Sequence, residues 1–141
     1  MVVKNGTPDP DTLAGSTGDD TLRGRGGDDM LFGGDGNDLI FGGAGHDTVD
    51  AGPGTDLIYG DDGDDRLIFS DLSGGEAHGG KGLDTLDLII TSGPGIYLDF
   101  RDGSATQSAI SPGSLSFSGI ERLVVTSSAD GDTIFGSAAN D

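Results

Sequence analysis

Asp recurs every nine residues through the first half of this chain, and an aliphatic residue follows it two places later each time. Written in nines from Gly6 to Ile68, the sequence reads GTPDPDTLA, GSTGDDTLR, GRGGDDMLF, GGDGNDLIF, GGAGHDTVD, AGPGTDLIY and GDDGDDRLI. The sixth place holds Asp11, Asp20, Asp29, Asp38, Asp47, Asp56 and Asp65, and the eighth holds Leu13, Leu22, Leu31, Ile40, Val49, Ile58 and Leu67. A flexible Gly/Asp linker would not hold two positions in phase through seven units. The array therefore specifies a stacked repeat.

Each unit divides into a six-residue turn and a three-residue strand. Gly in the turns permits positive φ and close backbone approach. Strand triplets such as Thr21-Leu22-Arg23 and Leu39-Ile40-Phe41 turn one side chain inward and two outward. Two units make one coil of 18 residues, so alternate turns stack on opposite sides. Asp11, Asp29, Asp47 and Asp65 then share one edge, and Asp20, Asp38 and Asp56 the other. Successive coils lie about 4.8 Å apart. Carboxylates that close repel one another unless a cation sits between them.

Calcium fits that gap, because its shell of about 6–8 oxygens accepts both Asp carboxylates and the carbonyls of Gly-rich turns. Zinc would need Cys or His at tetrahedral spacing, and the chain has no Cys and two isolated His. Magnesium demands a stricter octahedron and keeps its waters. Counting stacked intervals from Gly6 to Ile68 gives about five ions. The candidate carboxylates are Asp11, Asp20, Asp29, Asp38, Asp47, Asp56, Asp65 and Asp84. The candidate turn glycines are Gly15 and Gly18; Gly24 and Gly27; Gly33, Gly34 and Gly36; Gly42, Gly43 and Gly45; Gly52 and Gly54; Gly60 and Gly63; and Gly79, Gly80 and Gly82.

The nonapeptides resemble the RTX repeat, GGxGxDxUx with U aliphatic. The resemblance covers Gly6 to Ile68 and returns at Gly79 to Asp87 as GGKGLDTLD. It implies an all-β fold, a right-handed parallel β-roll of the hemolysin type, with each calcium held between turns stacked one coil apart. It also implies a secreted or cell-surface bacterial protein, passed unfolded through a type I secretion channel and folded outside.

Composition excludes other classes. Gly supplies 28 of 141 residues and aromatics only 6%, so no conventional core can form. A formal charge of -18 repels nucleic acid and anionic membranes. Of the acidic residues only Glu76 and Glu121 are Glu. A merely solvating acidic surface would use both types, whereas a metal-binding turn favours the shorter side chain. No apolar run approaches the ~18 residues of a membrane helix, and Met1 to Ala14 has no signal-peptide core. GxGxxG, P-loop, GxSxG and HExxH patterns are all missing, so no catalytic residue is assigned. His46 in a turn and His78 at a strand edge are expected in solvent, and Arg23, Arg25 and Arg66 are expected to offset local charge.

The phase slips after Ile68, because Asp84 follows Asp65 by 19 residues. Three segments are expected: a β-roll over 6–87 with a degenerate unit at 69–78, a β-rich connector or cap over 88–130, and the start of a further repeat over 131–141. The missing sixth-place Asp falls at Gly74, with Asp71 as a candidate substitute. Strand-like runs occur at Leu86 to Ile90, Ile96 to Phe100 and Leu123 to Val125, with turns at Gly93-Pro94-Gly95, Asp102-Gly103 and Pro112-Gly113. Asp132 and Asp141 are again nine apart, which suggests a cut inside a repeat of a longer protein.

One feature exceeds the needs of a bare repeat. Leu39, Phe41, Leu57 and Tyr59 take outward positions one coil apart, and Met30 and Phe32 do so on the opposite sheet. They are expected to meet the segment after Leu88 or a second copy of the chain. A structural or adhesive segment of a surface adhesin or surface layer is the alternative function, and a carrier for an exported hydrolase or toxin is a third.

Overall fold

The computed structural model describes residues 1–70, 73–90, 97–99, 115–127 and 133–135. Fourteen strands and no helix occur among them. The first seven are β1 (Val3–Asn5), β2 (Thr12–Ala14), β3 (Thr21–Gly26), β4 (Met30–Phe32), β5 (Leu39–Ala44), β6 (Thr48–Asp50) and β7 (Asp56–Asp62). They are followed by β8 (Arg66–Phe69), β9 (Gly75–Lys81), β10 (Thr85–Ile90), β11 (Tyr97–Asp99), β12 (Leu115–Ser118), β13 (Arg122–Ser127) and β14 (Thr133–Phe135).

One six-stranded sheet runs β1-β3-β5-β7-β9-β12 and the other β2-β4-β6-β8-β10-β13. Every pairing in both is parallel. The chain alternates between the sheets, one strand per nonapeptide, and so advances as a coil. Ile40 pairs with Leu22 and Ile58, and Val49 pairs with Leu31 and Leu67. This is the parallel β-roll expected from the repeat. β11 and β14 pair separately as a two-stranded parallel ribbon.

The eighth-place residues Leu22, Leu31, Ile40, Val49, Ile58 and Leu67 are fully buried. Their strand neighbours face outward, as β4 shows with its exposed–buried–exposed pattern. Leu13 is only partly buried, because β2 is the edge strand of its sheet. Each coil thus buries two aliphatic side chains for 18 residues ordered. Apolar burial that sparse does not offset the conformational entropy of an ordered coil.

The slip can be placed. Arg66 pairs with Thr48, 18 residues back, whereas Thr85 pairs with Arg66 and Gly75 with Asp56, each at a separation of 19. The added residue therefore lies between Phe69 and Gly75. Gly75, not Gly74, stands opposite Asp56, because β9 keeps its pairing only if the extra residue precedes it. Asp71 lies outside the described residues, as do the three proposed turns, Asp132 and Asp141. Past residue 87 the two sheets continue: β12 pairs with β9, matching Phe117 to Ala77, and β13 pairs with β10, matching Leu123 to Leu86.

On the outer face of the first sheet, Leu39 pairs with Leu57 and Phe41 with Tyr59, all four half-buried. The Phe41 and Tyr59 rings stack at 5.1 Å between centroids, and Tyr59 stacks on His78 at 4.7 Å. The Arg23 guanidinium sits over Phe41 at 5.3 Å. His78 departs from the expectation of solvent: it is half-buried, held by the Tyr59 ring and by a 2.7 Å contact from Nδ1 to Ser118 Oγ. Arg66 offsets charge as expected, pairing with Asp87.

Candidate metal centre

The sixth-place Asp stands at the junction of turn and strand, so each unit that has one delivers it to an edge of the roll. Asp20, Asp29, Asp38, Asp47, Asp56, Asp65 and Asp84 are all buried, none more than 3% exposed. The two edges group as the spacing predicts. On one, the backbone N–H of Asp11 donates to Asp29 Oδ1 at 2.7 Å, Asp29 to Asp47 at 2.8 Å, and Asp47 to Asp65 at 2.8 Å. Asp65 continues to Asp84 at 2.8 Å, across the slip. On the other, Asp20 donates to Asp38 at 2.8 Å and Asp38 to Asp56 at 2.9 Å.

One oxygen of each carboxylate is thereby satisfied. The second is not: Oδ2 of Asp29, Asp38, Asp47, Asp65 and Asp84 is buried and accepts no hydrogen bond. An uncompensated buried carboxylate oxygen is costly. The first-place glycines show what it faces. A methyl group on Gly24 would lie 2.1 Å from Asp29 Oδ2 and 2.4 Å from the carbonyl oxygen of Gly42, one coil on. On Gly42 it would lie 2.4 Å from Asp47 Oδ2 and 2.7 Å from the Gly60 carbonyl, and on Gly60, 2.4 Å from Asp65 Oδ2 and 2.5 Å from the Gly79 carbonyl. Gly33 repeats the arrangement with Asp38 Oδ2 at 2.5 Å and the Ala51 carbonyl at 2.2 Å. Each of these glycines thus lies between an Asp Oδ2 and a carbonyl oxygen of the next coil, with no room for a side chain.

Carboxylate and carbonyl oxygens are the donors that a hard cation such as calcium takes, in a shell of about 6–8. Among the described residues no three His, Cys, Asp or Glu side chains converge. The sites are built from Asp carboxylates and backbone carbonyls, which suits calcium and not zinc.

The remaining glycines serve the turn itself. Gly43, in second place, and Gly36, in fourth, have φ of +119° and +117° and pack against backbone of the preceding coil. Gly18 differs, since it faces open space and has no positive φ. Two candidate gaps are closed from within the chain. Asp11 Oδ2 accepts from Thr7 N and Oγ1 at 2.5 and 2.9 Å, and Asp20 Oδ2 from Ser16 N and Oγ at 2.5 and 2.7 Å.

The second edge also ends early. Its first-place residues run Gly15, Gly33, Ala51, Phe69 and Leu88, and the last three are buried hydrophobics. Ala51, Phe69 and Leu88 belong to the buried apolar cluster, where the first edge keeps glycine in the same place.

Sequence reasoning missed an outer ladder. Fifth-place side chains accept from the next coil: Asp19 Oδ1 from Asn37 N at 2.9 Å, Asn37 Oδ1 from Thr55 N at 2.9 Å, and Asp28 Oδ1 from His46 N at 2.8 Å. Exposed His46 then accepts from Asp64 N through Nδ1 at 2.9 Å, and Asp64 from Leu83 N at 2.9 Å. The signal was present as Asp, Asp, Asn, His, Thr and Asp in the fifth place from Asp19 onward.

Burial sets the electrostatics. It raises the carboxyls of Asp29, Asp38 and Asp84 above the ordinary Asp value, Asp47 to about 6 and Asp65 to about 7. Asp20 moves the other way, because the Ser16 hydroxyl bonds its charged form.

Stacked Asp edges on a nine-residue period define a parallel β-roll of metal-binding repeats. A model of the RTX calcium-binding nonapeptide repeat, four copies long, matches the chain over residues 5–40 and again over 32–67. Residues 5–67 belong to that repeat family, so this segment is a calcium-binding repeat module. A comparison with curated proteins returns no match.

Two outcomes follow from this geometry. Gly42→Ala forces a methyl group into the Asp47/Gly60 oxygens and should raise the calcium midpoint for folding about tenfold or more, near 1.4 kcal/mol. Gly18→Ala meets nothing and should stay within about 0.5 kcal/mol. Calcium titrations followed by circular dichroism compare the two, and equal midpoints would refute the cradle. The second outcome concerns pH. Raised carboxyls mean that the metal-free folded state holds more protons than the unfolded chain between about pH 4 and 7. Its stability is greatest below the unfolded Asp value and is lost as pH rises through the values near 6 and 7. The same protons must leave for metal to bind, so calcium affinity at the Asp47 and Asp65 sites should fall roughly tenfold or more from pH 7.5 to 5.5. Titration calorimetry across that range tests this, and a flat profile contradicts it.

Proposed function

We propose that this chain is a calcium-triggered folding module of a secreted or cell-surface bacterial protein, exported unfolded by type I secretion. The observation that carries the reading is the set of buried Asp Oδ2 atoms without a hydrogen-bond donor, each aimed at a carbonyl one coil away. Bound calcium supplies the divalent charge that such oxygens lack. The carboxylates of Asp29, Asp38, Asp47, Asp65 and Asp84, with the carbonyls of Gly42, Ala51, Gly60 and Gly79, would hold it. Without that charge the chain keeps a thin core and a net charge of -18, which favours the unfolded ensemble. Folding and metal binding then become one equilibrium. A cytoplasm poor in calcium keeps such a chain threadable, and the exterior folds it. Several ions per chain are proposed.

A second reading, a structural or adhesive repeat segment, draws on the stacked row Phe41–Tyr59–His78 flanked by Leu39 and Leu57. This flat, half-buried row on the first sheet is the surface a second copy would pack against.

Calcium should convert the chain from disordered to β-rich, and magnesium at equal concentration should not. Far-ultraviolet circular dichroism reads the transition, and a β-rich spectrum unchanged in excess chelator refutes the module. Asp38→Ala should raise the calcium midpoint more than Asp11→Ala. Asp38 is buried between Asp20 and Asp56, whereas Asp11 is partly exposed and already bonded by Thr7. Losing an interior unit also breaks nearest-neighbour cooperativity. Coincident titration curves for the two variants would count against the edge assignment.

A further inference from the structure

We propose that Glu76 and His78 form half of a site for a borderline divalent metal such as zinc, completed by the same pair from a second copy of the chain. The proposal rests on the adhesive reading above and names the chemistry that joins the two copies. The pair lies on the outer face of the first sheet, away from the Asp edges. It offers an imidazole nitrogen, which suits zinc and not calcium.

β9 turns Glu76 and His78 outward on either side of buried Ala77, so both stand on one face. The His78 ring is held on two sides. It stacks on Tyr59 at 4.7 Å, and its Nδ1 lies 2.7 Å from Ser118 Oγ on the neighbouring strand β12. With Nδ1–H donating to Ser118, the Nε2 lone pair is free, which is how a metal-ligating imidazole is oriented. Nε2 stands 3.4 Å from Glu76 Oε2. That is long for an N–H···O bond, which prefers about 2.7–3.2 Å. It matches two ligands of one tetrahedral zinc, because atoms about 2.1 Å from the metal at that angle stand roughly 3.4 Å apart.

Zinc takes more than two ligands, and among the described residues no third His, Cys, Asp or Glu joins the pair. A second copy supplies the rest. Strand register sets Leu39, Leu57 and Glu76 in one outward column and Phe41, Tyr59 and His78 in the next. A two-fold axis along the stacking direction lays each strand antiparallel over its own counterpart, so each column faces the other. Glu76 of each copy then faces His78 of the other, and Phe41 and Tyr59 face Leu39 and Leu57. Two nitrogens and two carboxylates surround the axis above Ala77, a tetrahedral zinc set. Charge favours this face over the turn edges. Arg23 and Glu76 are the only formal charges in the two columns from β3 to β12, so the face is neutral in a chain of -18. The two Glu76 carboxylates repel one another across the axis, and a divalent metal between them cancels their charge.

The test uses the whole chain saturated with calcium, with zinc chloride as the probe. Sedimentation velocity reads the assembly state, and native mass spectrometry counts the zinc. Wild type should pass from monomer to dimer with one zinc bound per two chains. Glu76→Gln and His78→Gln should each weaken zinc-driven dimerisation about tenfold or more, with calcium-dependent folding by circular dichroism unchanged. His46→Gln removes the other histidine, exposed in a turn, and should dimerise as wild type does. A chain that stays monomeric in zinc, or takes one zinc per chain, overturns the shared site, as does an equal loss in His46→Gln. Dimers that form without zinc and persist in His78→Gln uphold the adhesive reading and overturn the metal site. Zinc dimers unchanged in a Phe41→Ser/Tyr59→Ser variant uphold the site and overturn the stacked row as the adhesive surface.

Discussion

The roll depends on what happens to the second oxygen of each buried Asp. Oδ1 is held by a backbone N–H from the neighbouring coil, and that bond fixes register as firmly as the strands do. Oδ2 is held by nothing the chain provides at Asp29, Asp38, Asp47, Asp65 and Asp84. Burying these oxygens costs free energy, and the surrounding architecture compounds the problem. The first-place glycines bring a carbonyl of the next coil against each one, oxygen facing oxygen. A chain meant to be stable alone would place a donor there, as Thr7 and Ser16 do at the first turns. The repeat withholds it, which leaves these oxygens to a cation under the proposed function.

The two edges resolve this condition in different ways. The first keeps glycine in the first place through Gly24, Gly42, Gly60, Gly79 and Gly119, and keeps an acid beside it as far as Glu121. The second exchanges glycine for Ala51, Phe69 and Leu88, all buried. At the same end of that edge Gly75, not an Asp, stands opposite Asp56. The core gains there what the edge gives up. Ala77 is the smallest eighth-place residue of the first sheet, and Phe117 stands beside it in the next strand with Phe69 in the same buried cluster. From its start to its end, the roll passes from two glycine-lined edges to one.

The period made most of this legible. Asp in sixth place and an aliphatic in eighth settled the coil length, the two edges and the inward residues, because each depends only on spacing along a regular backbone. The slip was visible in the Asp65 to Asp84 separation, but its location was not. Gly74 and Gly75 are chemically alike, and only strand pairing distinguishes them. The outer ladder escaped for another reason: Asp, Asn and His look variable as letters yet share an acceptor atom close to the backbone. Glu121 escaped because its partner is Asp84, across a long segment with no repeat phase. Long-range closure of that kind leaves no periodic trace.

A stack with a direction has two unlike ends, and each must imitate a missing neighbour. The N–H groups of Asp11, Asp20, Asp29, Asp38, Asp47 and Asp65 point forward to the next carboxylate, so a first acid lacks a donor behind it and a last N–H lacks an acceptor ahead. Behind Asp20, the donor is Val2 N–H, brought into place by β1 pairing with β3. Ahead of Asp84, the acceptor is Glu121. Neither residue belongs to a nonapeptide, yet each presents the atom that a further repeat would have presented. The ends of the Asp array are therefore built by ordinary β-sheet pairing from non-repeat sequence. For that reason the folded unit extends beyond the matched repeats on its C-terminal side.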